Sequence, residues 1–342
     1  MSDIRYDRIR DTHVIVSPER LHRPDRNIQF RNRRKVERIC PFCEGNEKMT
    51  PPEIYAKRSS ASFANEKGWH TRVVPNLYKA VQIETPHKHH FGLFEHWKGF
   101  GAHEVIIDTP QHYTSMTQWS DEDAIHWLQT LASRVRDLRN DHRITYISLF
   151  KNEGELAGAT QLHSHTQLIG LPLVPKDIRD EYQRSYEHYK HNKSSLFEEI
   201  ITHEEEEGVR VIDTNALFTA YCPYASAYPF EIIISSKKAL GQIDTLSEKS
   251  IETLAPLLLS TLRKLKVQLG YLDFNLVLST PPLQEGSVEH ELLCFIDQSH
   301  RFSIRIMPRI YKFGGFEKST GVIINPVSPE LAAKLLRETK DA

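Results

Sequence analysis

The feature that most limits how this chain can fold is an order of segments that occurs twice. In the first half, Glu104 to Ile107 reads as an apolar strand and Asp121 to Leu138 as a helix. Ile144 to Phe150 reads as a strand, and His163 to Leu171 as another that stops at Pro172. In the second half Phe230 to Ile234, Ser247 to Leu265, Phe274 to Ser279 and Phe302 to Met307 repeat that order, and the last again stops at a proline, Pro308. Both helical segments show apolar residues at helical spacing, Ala124, Trp127, Leu128, Leu131, Val135 and Leu138 in one and Ile251, Leu254, Leu258, Leu262 and Leu265 in the other. Ser120 and Ser247 stand where N-caps belong. The reading is an internal duplication of one α+β unit. Aligning the two prolines sets His163 opposite Ser299, His165 opposite Arg301 and Gln167 opposite Ser303, so polar chemistry is kept only in the first copy. The expected units are residues 1–175, and residues 176–342 with a linker helix and a degenerate second copy.

Outside the repeats the signals are weaker. The first 50 residues are polar and loop-like, broken by Pro18, Pro24 and Pro41. Arg72 to Val74 and Ala80 to Ile83 read as short strands around Pro75-Asn76. Lys176 to Glu206 reads as charged and helical, with Glu204 to Glu207 a solvated run. Of 342 residues, 44 are Lys or Arg and 45 Asp or Glu, and a net charge of -1 argues against a nucleic-acid partner. No apolar run is long enough to span a bilayer, and MSDIRYDRIR has no apolar leader core. Four cysteines make no disulfide framework, so no membrane partner and a cytoplasmic location are expected.

Histidine, at 18, is abundant, and its spacing matters more than its number. In Asn152-Glu-Gly-Glu-Leu-Ala-Gly158-Ala-Thr160-Gln-Leu-His163-Ser-His165-Thr-Gln167, the period of a strand puts His163, His165 and Gln167 on one face. Three polar groups on an otherwise apolar strand are costly unless they line a site. A neutral imidazole can attack phosphorus, and a loop with Gly154 and Gly158 lets backbone N–H groups approach phosphate oxygens. Cys40-Pro-Phe-Cys43 offers two thiolates to a tetrahedral metal. With Cys222 and Cys294 isolated, histidines must complete such a site, with His163, His112 and His103 as candidates. A thioredoxin-like redox pair would sit between a strand and a helix, whereas this pair lies between a basic loop and two prolines. Arg20 and Arg23 stand where guanidinium groups can clamp phosphates. His87, His89 and His90, and likewise His188, His191 and His203, read as solvated.

The blocks SPERLHRP, CPFCEGN, VVPNLY, GAHEVIIDTPQH, NEGELAGATQLHSHTQ, YPFEIII, MPRI and GFE…GVIIN together resemble the galactose-1-phosphate uridylyltransferase branch of the histidine-triad superfamily, and especially its bacterial and ADP-glucose-phosphorylase-type members. The resemblance runs from about Asp7 to Leu336. It implies an α+β fold of two fused histidine-triad-like repeats, with antiparallel sheets and flanking helices, in agreement with the duplication. It puts His165 in the place of a catalytic nucleophile and Gln167 in that of the glutamine that contacts the transferred phosphoryl. Cys40, Cys43, His112 and His163 take the places of structural Zn2+ ligands, with His103 in reserve. Arg20, Arg23, Asn76, Asn152, Gly158 and Thr160 fall where the family contacts nucleotide and phosphates, and Phe316 and Glu317 where it holds the hexose. The partners implied are a nucleoside diphosphate sugar and a sugar 1-phosphate or phosphate, and the family commonly forms homodimers.

Some positions depart from the uridylyltransferase pattern. Leu162 and Ser164 stand where it has prolines and Thr166 where it has glycine. Arg301, Phe302 and Ser303 replace a histidine pair of many second repeats, which argues against a second metal there. The expected activity is transfer of a nucleoside monophosphate from a nucleoside diphosphate sugar to a hexose 1-phosphate through a nucleotidyl-histidine. The alternatives are a nucleotide-sugar or dinucleotide phosphorylase with inorganic phosphate as acceptor, or a non-catalytic zinc-stabilised nucleotide-binding protein. A histidine-triad hydrolase is disfavoured by Gln167 in place of a third histidine.

Overall fold

A computed structural model describes residues 2–22, 39–113, 115–284 and 288–340. Arg23, expected at the phosphates, lies outside the described residues. The chain opens with strands β1 (Asp3–Asp7) and β2 (Thr12–Val16), then β3 (Tyr55–Arg58) and β4 (Trp69–Pro75). A small hairpin of β5 (His89–His90) and β6 (His96–Trp97) leads to β7 (Ala102–Ile107), α1 (Asp121–Leu138), β8 (Tyr146–Glu153) and β9 (His165–Leu171). Helices α2 (Lys176–Asn192) and α3 (Leu196–Glu207) connect to β10 (Val211–Thr214), β11 (Phe218–Tyr221), β12 (Ile232–Ser236), α4 (Glu248–Leu269) and β13 (Phe274–Leu278). The short helices α5 (His290–Cys294) and α6 (Ile296–Ser299), then β14 (Ser303–Pro308), α7 (Gly315–Thr320), β15 (Ile323–Asn325) and α8 (Pro329–Glu338), complete the order.

Ten strands form one antiparallel sheet in the order β10-β11-β12-β14-β13-β8-β9-β7-β4-β3. The strands that correspond in sequence, β7 with β12, β8 with β13 and β9 with β14, occupy mirror-related places about the β8–β13 join, where Phe274 lies opposite Glu153 and Leu278 opposite Leu149. The fold is therefore α+β with two fused repeats, and the repeats share one sheet. Strand alternation decides what faces the helices. In β9, Thr166, Leu168 and Gly170 are buried and Gln167, Ile169 and Leu171 half-buried; in β14, Ile304 and Ile306 are buried between half-buried Ser303, Arg305 and Met307. The Trp127 indole N–H on α1 donates to Thr166 Oγ1 at 2.9 Å, which fixes that face of β9 toward the helix. Helices α1 and α4 pack on each other, and one apolar core runs through Trp127, Leu131, Leu149 and Leu168 to Leu258, Leu262, Leu276 and Ile304. Both helices start as the sequence indicates: the Ser120 and Ser247 hydroxyls accept from Asp123 N and Ser250 N, each at 3.1 Å.

Several expectations are corrected. The first 50 residues are not loop alone: β1 and β2 pair, and β15 joins β2 in parallel to make a separate three-stranded sheet. Val14 and Val16 bury there against Ala225 and Ala227, partners remote in sequence. Ala80 to Ile83 is not a strand. Only Gln82 bridges Phe100, because the segment is largely exposed and has no apolar face to bury. The charged segment is two helices, broken at Lys193 with φ 58°. Glu204 is buried rather than solvated, with both carboxylate oxygens within 3.0 Å of Arg210 Nε. His89 and His90 lie in the β5–β6 hairpin, where His89 stacks on Trp97 and His90 on His96. Among the described residues no helix is long and apolar enough to cross a membrane.

One buried ion pair pins α1 to the sheet. Arg134 donates twice to the Glu104 carboxylate of β7, at 2.8 Å each, with both residues buried. Removing one partner leaves the other charge unpaired in the interior. Arg134→Ala is expected to cost about 3–5 kcal/mol of unfolding free energy, read as a fall in the urea midpoint.

Candidate functional site

The C-x-x-C turn is closed by Cys43 N donating to Cys40 O at 3.4 Å and by Asn46 Nδ2 donating to the same oxygen at 2.8 Å. Glu44 N donates to Pro110 O, which holds the turn against the segment after β7 that carries His112. His163 meets it from the bend just before β9. Ligand atoms of Cys40, Cys43, His112 and His163 all lie within 4.8 Å of one another. Cys43 Sγ is 3.2 Å from His112 Nδ1 and 3.6 Å from His163 Nδ1, and Cys40 Sγ is 3.6 Å from His163 Nδ1. Donor separations of about 3.3–3.8 Å are what bond lengths near 2.0–2.3 Å give around a tetrahedral ion. The chemistry of the donors agrees. The His163 Nε2 proton goes to Thr109 O at 2.8 Å, leaving Nδ1 as the ligating atom. Burial, opposed by that bond, pushes His163 from its ordinary 6.5 to about 4, so it is neutral at pH 7. Burial and the adjacent Cys40 push the Cys43 thiol up to about 11, a cost that a bound cation would remove. The four residues can hold a metal ion.

The expectation that His163, His165 and Gln167 share a strand face is corrected. The strand begins at His165, and His163 precedes it, turned toward the cysteines. Ser164 N donates to Tyr113 O and Asp108 N to Ser164 O, which sets that bend. His165 Nδ1 donates to His163 O at 2.9 Å, so Nε2 carries the free lone pair. Burial first, and then the nearby Lys151 cation, hold its pKa below the ordinary value. Phe42 lies edge-on to it, with ring centroids 5.7 Å apart.

His103 is not among the clustered donors. Its Nδ1 accepts from Ala80 N at 3.0 Å, and its Nε2 donates to Gln167 Oε1 at 3.1 Å, with Asn76 Nδ2 3.0 Å from the same nitrogen. His103 therefore orients the Gln167 amide, occupying its oxygen and leaving its NH2 to donate elsewhere. Asn76 Oδ1 accepts from Tyr78 N at 2.8 Å, which places the Asn76 amide beside this pair. Asn152, at the end of β8, accepts at Oδ1 from Asn275 Nδ2 at 2.8 Å, and Gly158 takes φ +89° in the loop between β8 and β9. Thr160 is exposed in that loop, and Arg20 is exposed in a short 3-10 helix, Pro18–His22. Phe316 and Glu317 lie in α7, which packs on β15 of the separate sheet. Glu317 Oε2 accepts from Gly314 N at 2.9 Å.

Sequence reading missed the charges beneath the H-x-H bend. Lys151 Nζ, on a residue only 1% exposed, donates to Asp108 Oδ2 at 2.7 Å, Ser164 Oγ at 2.7 Å and His165 O at 3.2 Å. All three ammonium protons are used, two of them on the backbone or side chain of the bend itself. Glu153 is also buried and accepts from Met116 N at 3.0 Å, and burial holds its carboxyl above the usual range. A signal was present: with period two, Lys151 and Glu153 follow Ile147 and Leu149 on the core-facing side of β8.

Loss of the metal site is expected to be visible in both stability and pH response. Cys43→Ser, or treatment with a strong chelator, should remove one metal equivalent per chain by elemental analysis and lower Tm by ~10 °C. In metal-free protein His163 binds its proton less readily when folded than unfolded. Its contribution to stability is complete above pH 6.5 and is lost as the pH falls toward about 4. A metal-free protein whose denaturation midpoint did not change over that window would contradict the placement.

The chain is similar to known proteins along its whole length. Residues 1–175 match the family model "Galactose-1-phosphate uridyl transferase, N-terminal domain". The chain is 32% identical over 345 residues to ADP-glucose phosphorylase of Arabidopsis thaliana, spanning 98% of this chain and 92% of the relative. It is 26% identical to galactose-1-phosphate uridylyltransferase of Thermotoga maritima, over 99% of both. The crystal structure of the Arabidopsis ADP-glucose phosphorylase with bound ADP-glucose superposes with a TM-score of 0.82 at 28% identity, covering 100% of each chain. Extending from the family model in the first half to the full-length relatives, the match shows that the chain belongs to the galactose-1-phosphate uridylyltransferase family.

Proposed function

We propose that the protein transfers a nucleoside monophosphate from a nucleoside diphosphate sugar to a hexose 1-phosphate, with His165 as the covalent carrier. The observation that carries the reading is the bond from His165 Nδ1 to His163 O, which leaves Nε2 unprotonated and fixed in direction. The Nε2 lone pair attacks the α-phosphorus, the bond from that phosphorus to the bridging oxygen breaks, and sugar 1-phosphate departs with the electron pair. A phosphate oxygen of the acceptor then attacks the nucleotidyl-His165 phosphorus and restores the free imidazole. Gln167, its oxygen held by His103, donates its NH2 to the phosphoryl oxygens in both steps. A sugar phosphate leaves without a proton, which suits an amide at this place better than a general acid. Asn152, Asn76, Gly158, Thr160 and Arg20 contact the nucleotide and its phosphates, and Phe316 and Glu317 the hexose. Zn2+ held by Cys40, Cys43, His112 and His163 would act as scaffold, tethering the bend that carries His165.

A second reading has inorganic phosphate as acceptor, making the enzyme a nucleotide-sugar phosphorylase. It is supported by the 32% identity to an ADP-glucose phosphorylase and by Leu162 and Ser164 in place of the uridylyltransferase prolines. A homodimer forms part of either reading. Leu77, Tyr78, Phe91, Leu93 and Phe94, all at least 71% exposed on the segment between β4 and β7, give it an apolar surface.

Intact mass after incubation with UDP-glucose or ADP-glucose tests the shared first step. One nucleotidyl adduct is expected on the wild-type chain and none on His165→Ala, while Gln167→Ala should form it about 10²-fold more slowly. An adduct on His165→Ala refutes the assignment. Addition of glucose 1-phosphate or phosphate to the isolated adduct separates the two acceptors by which one discharges it faster.

A further inference from the structure

The second repeat carries no histidine opposite His165, yet two of its side chains reach into the loop of the first. Asp273 immediately precedes β13, and Asn275 is the second residue of that strand. Asp273 Oδ2 accepts from Leu156 N at 2.7 Å. Its Oδ1 fills the space beside Gly154, where a methyl group would lie 1.7 Å away, so only a residue without a side chain fits there, and Gly154 also takes φ +86°. Asn275 Nδ2 donates to Asn152 Oδ1 at 2.8 Å and to Ala157 O at 2.9 Å, so both its amide protons are spent on the first repeat. The β8–β13 register, with Asn275 directly opposite Asn152, sets this reach. With its oxygen occupied, Asn152 can turn only its NH2 outward, and Nδ2 lies 4.0 Å from where a methyl group on Gly158 would stand. The loop is thus held at Leu156 and Ala157, and the Asn152 amide beside it is held too, from the other half of the molecule.

We propose that Asp273 and Asn275 are positioning residues for the transfer reaction, shaping from the second repeat the phosphate-facing loop of the first. The purpose of the clamp rests on the proposed function; the clamp itself does not. Held in this way, the loop presents its backbone and the Asn152 amide at fixed places before the nucleotide arrives, so the ordering cost is met during folding and not during the reaction. Asp273 acts through Leu156 and Gly154, and Asn275 through Asn152 and Ala157; neither is assigned a contact with substrate.

Two measurements on the full-length protein test this. The first is amide hydrogen exchange of the peptide spanning residues 152–160 by mass spectrometry. Asn275→Ala and Asp273→Ala should each speed exchange there by about 10-fold, with helices α1 and α4 unchanged. Exchange equal to wild type in both variants overturns the clamp. The second is the single-turnover rate of nucleotidyl adduct formation at saturating ADP-glucose or UDP-glucose. Both alanine variants should lose about 10-fold in this rate at little change in apparent affinity. Asp273→Asn, which keeps an acceptor oxygen and fills the same space, should stay within about twofold of wild type. Asn152→Ala/Asn275→Ala should lose less than the product of the two single losses, because part of the Asn275 effect runs through Asn152, and losses that multiply in full would overturn that route. An effect on Tm alone, with wild-type rates, makes the pair structural and overturns the positioning role. If wild-type protein takes no adduct, the transfer reading fails, while exchange still decides the clamp.

Discussion

The antiparallel join between β8 and β13 is the contact on which the rest of the molecule depends. Without it each repeat would present an open edge strand with a row of unpaired backbone groups. With it, two five-stranded halves become one sheet, and α1 and α4 lie together over its centre to close a single core. The same register fixes where the ends of β8 and β13 meet. It sets Asn152 against Asn275 and brings Asp273 to the loop that leads into the His163–His165 bend. The join is thus a structural seam and also the wall of the candidate site.

Two histidines separated by a single serine are given opposite tasks by which nitrogen is already engaged. His163 spends Nε2 on Thr109 O and turns Nδ1 to the cysteines; His165 spends Nδ1 on the carbonyl of His163 and keeps Nε2 free. Beneath them Lys151, neutralised by Asp108, grips Ser164 and the His165 carbonyl. A buried ammonium in such a place is tolerable only because every proton has an acceptor. The bend is therefore held from three sides: by the cysteine turn, by the main chain of β7 and its continuation, and by Lys151.

Much of this was legible in the sequence because the signals were local. Ser120 and Ser247 marked helix starts, the apolar stripe of α1 predicted its burial, and Pro172 and Pro308 marked the ends of matching strands. The four clustered metal donors could be named from C-x-x-C, H-x-H and the resemblance. What stayed hidden depended on distant partners. The β1–β2 hairpin looked like loop because its third strand comes from the far end of the chain, and Glu204 looked solvated because Arg210 lies beyond a turn. His103 seemed a spare ligand because a one-dimensional reading cannot show which of two neighbouring polar groups it faces. Gln167 won that place through the pairing of β7 with β9.

The three-stranded sheet carries a further consequence. Its middle strand, β2, is bounded on one side by β1 and on the other by β15, so the first strands of the chain are completed by the last. Arg5 and Glu330 add an ion pair at 2.8 Å across the same closure. Contacts of such long sequence separation form late, because the intervening chain must already be ordered to bring them together. Loss of the β2–β15 pairing would leave β2 with an open edge of unpaired backbone groups, so the stability of the first two strands depends on residues 323–325.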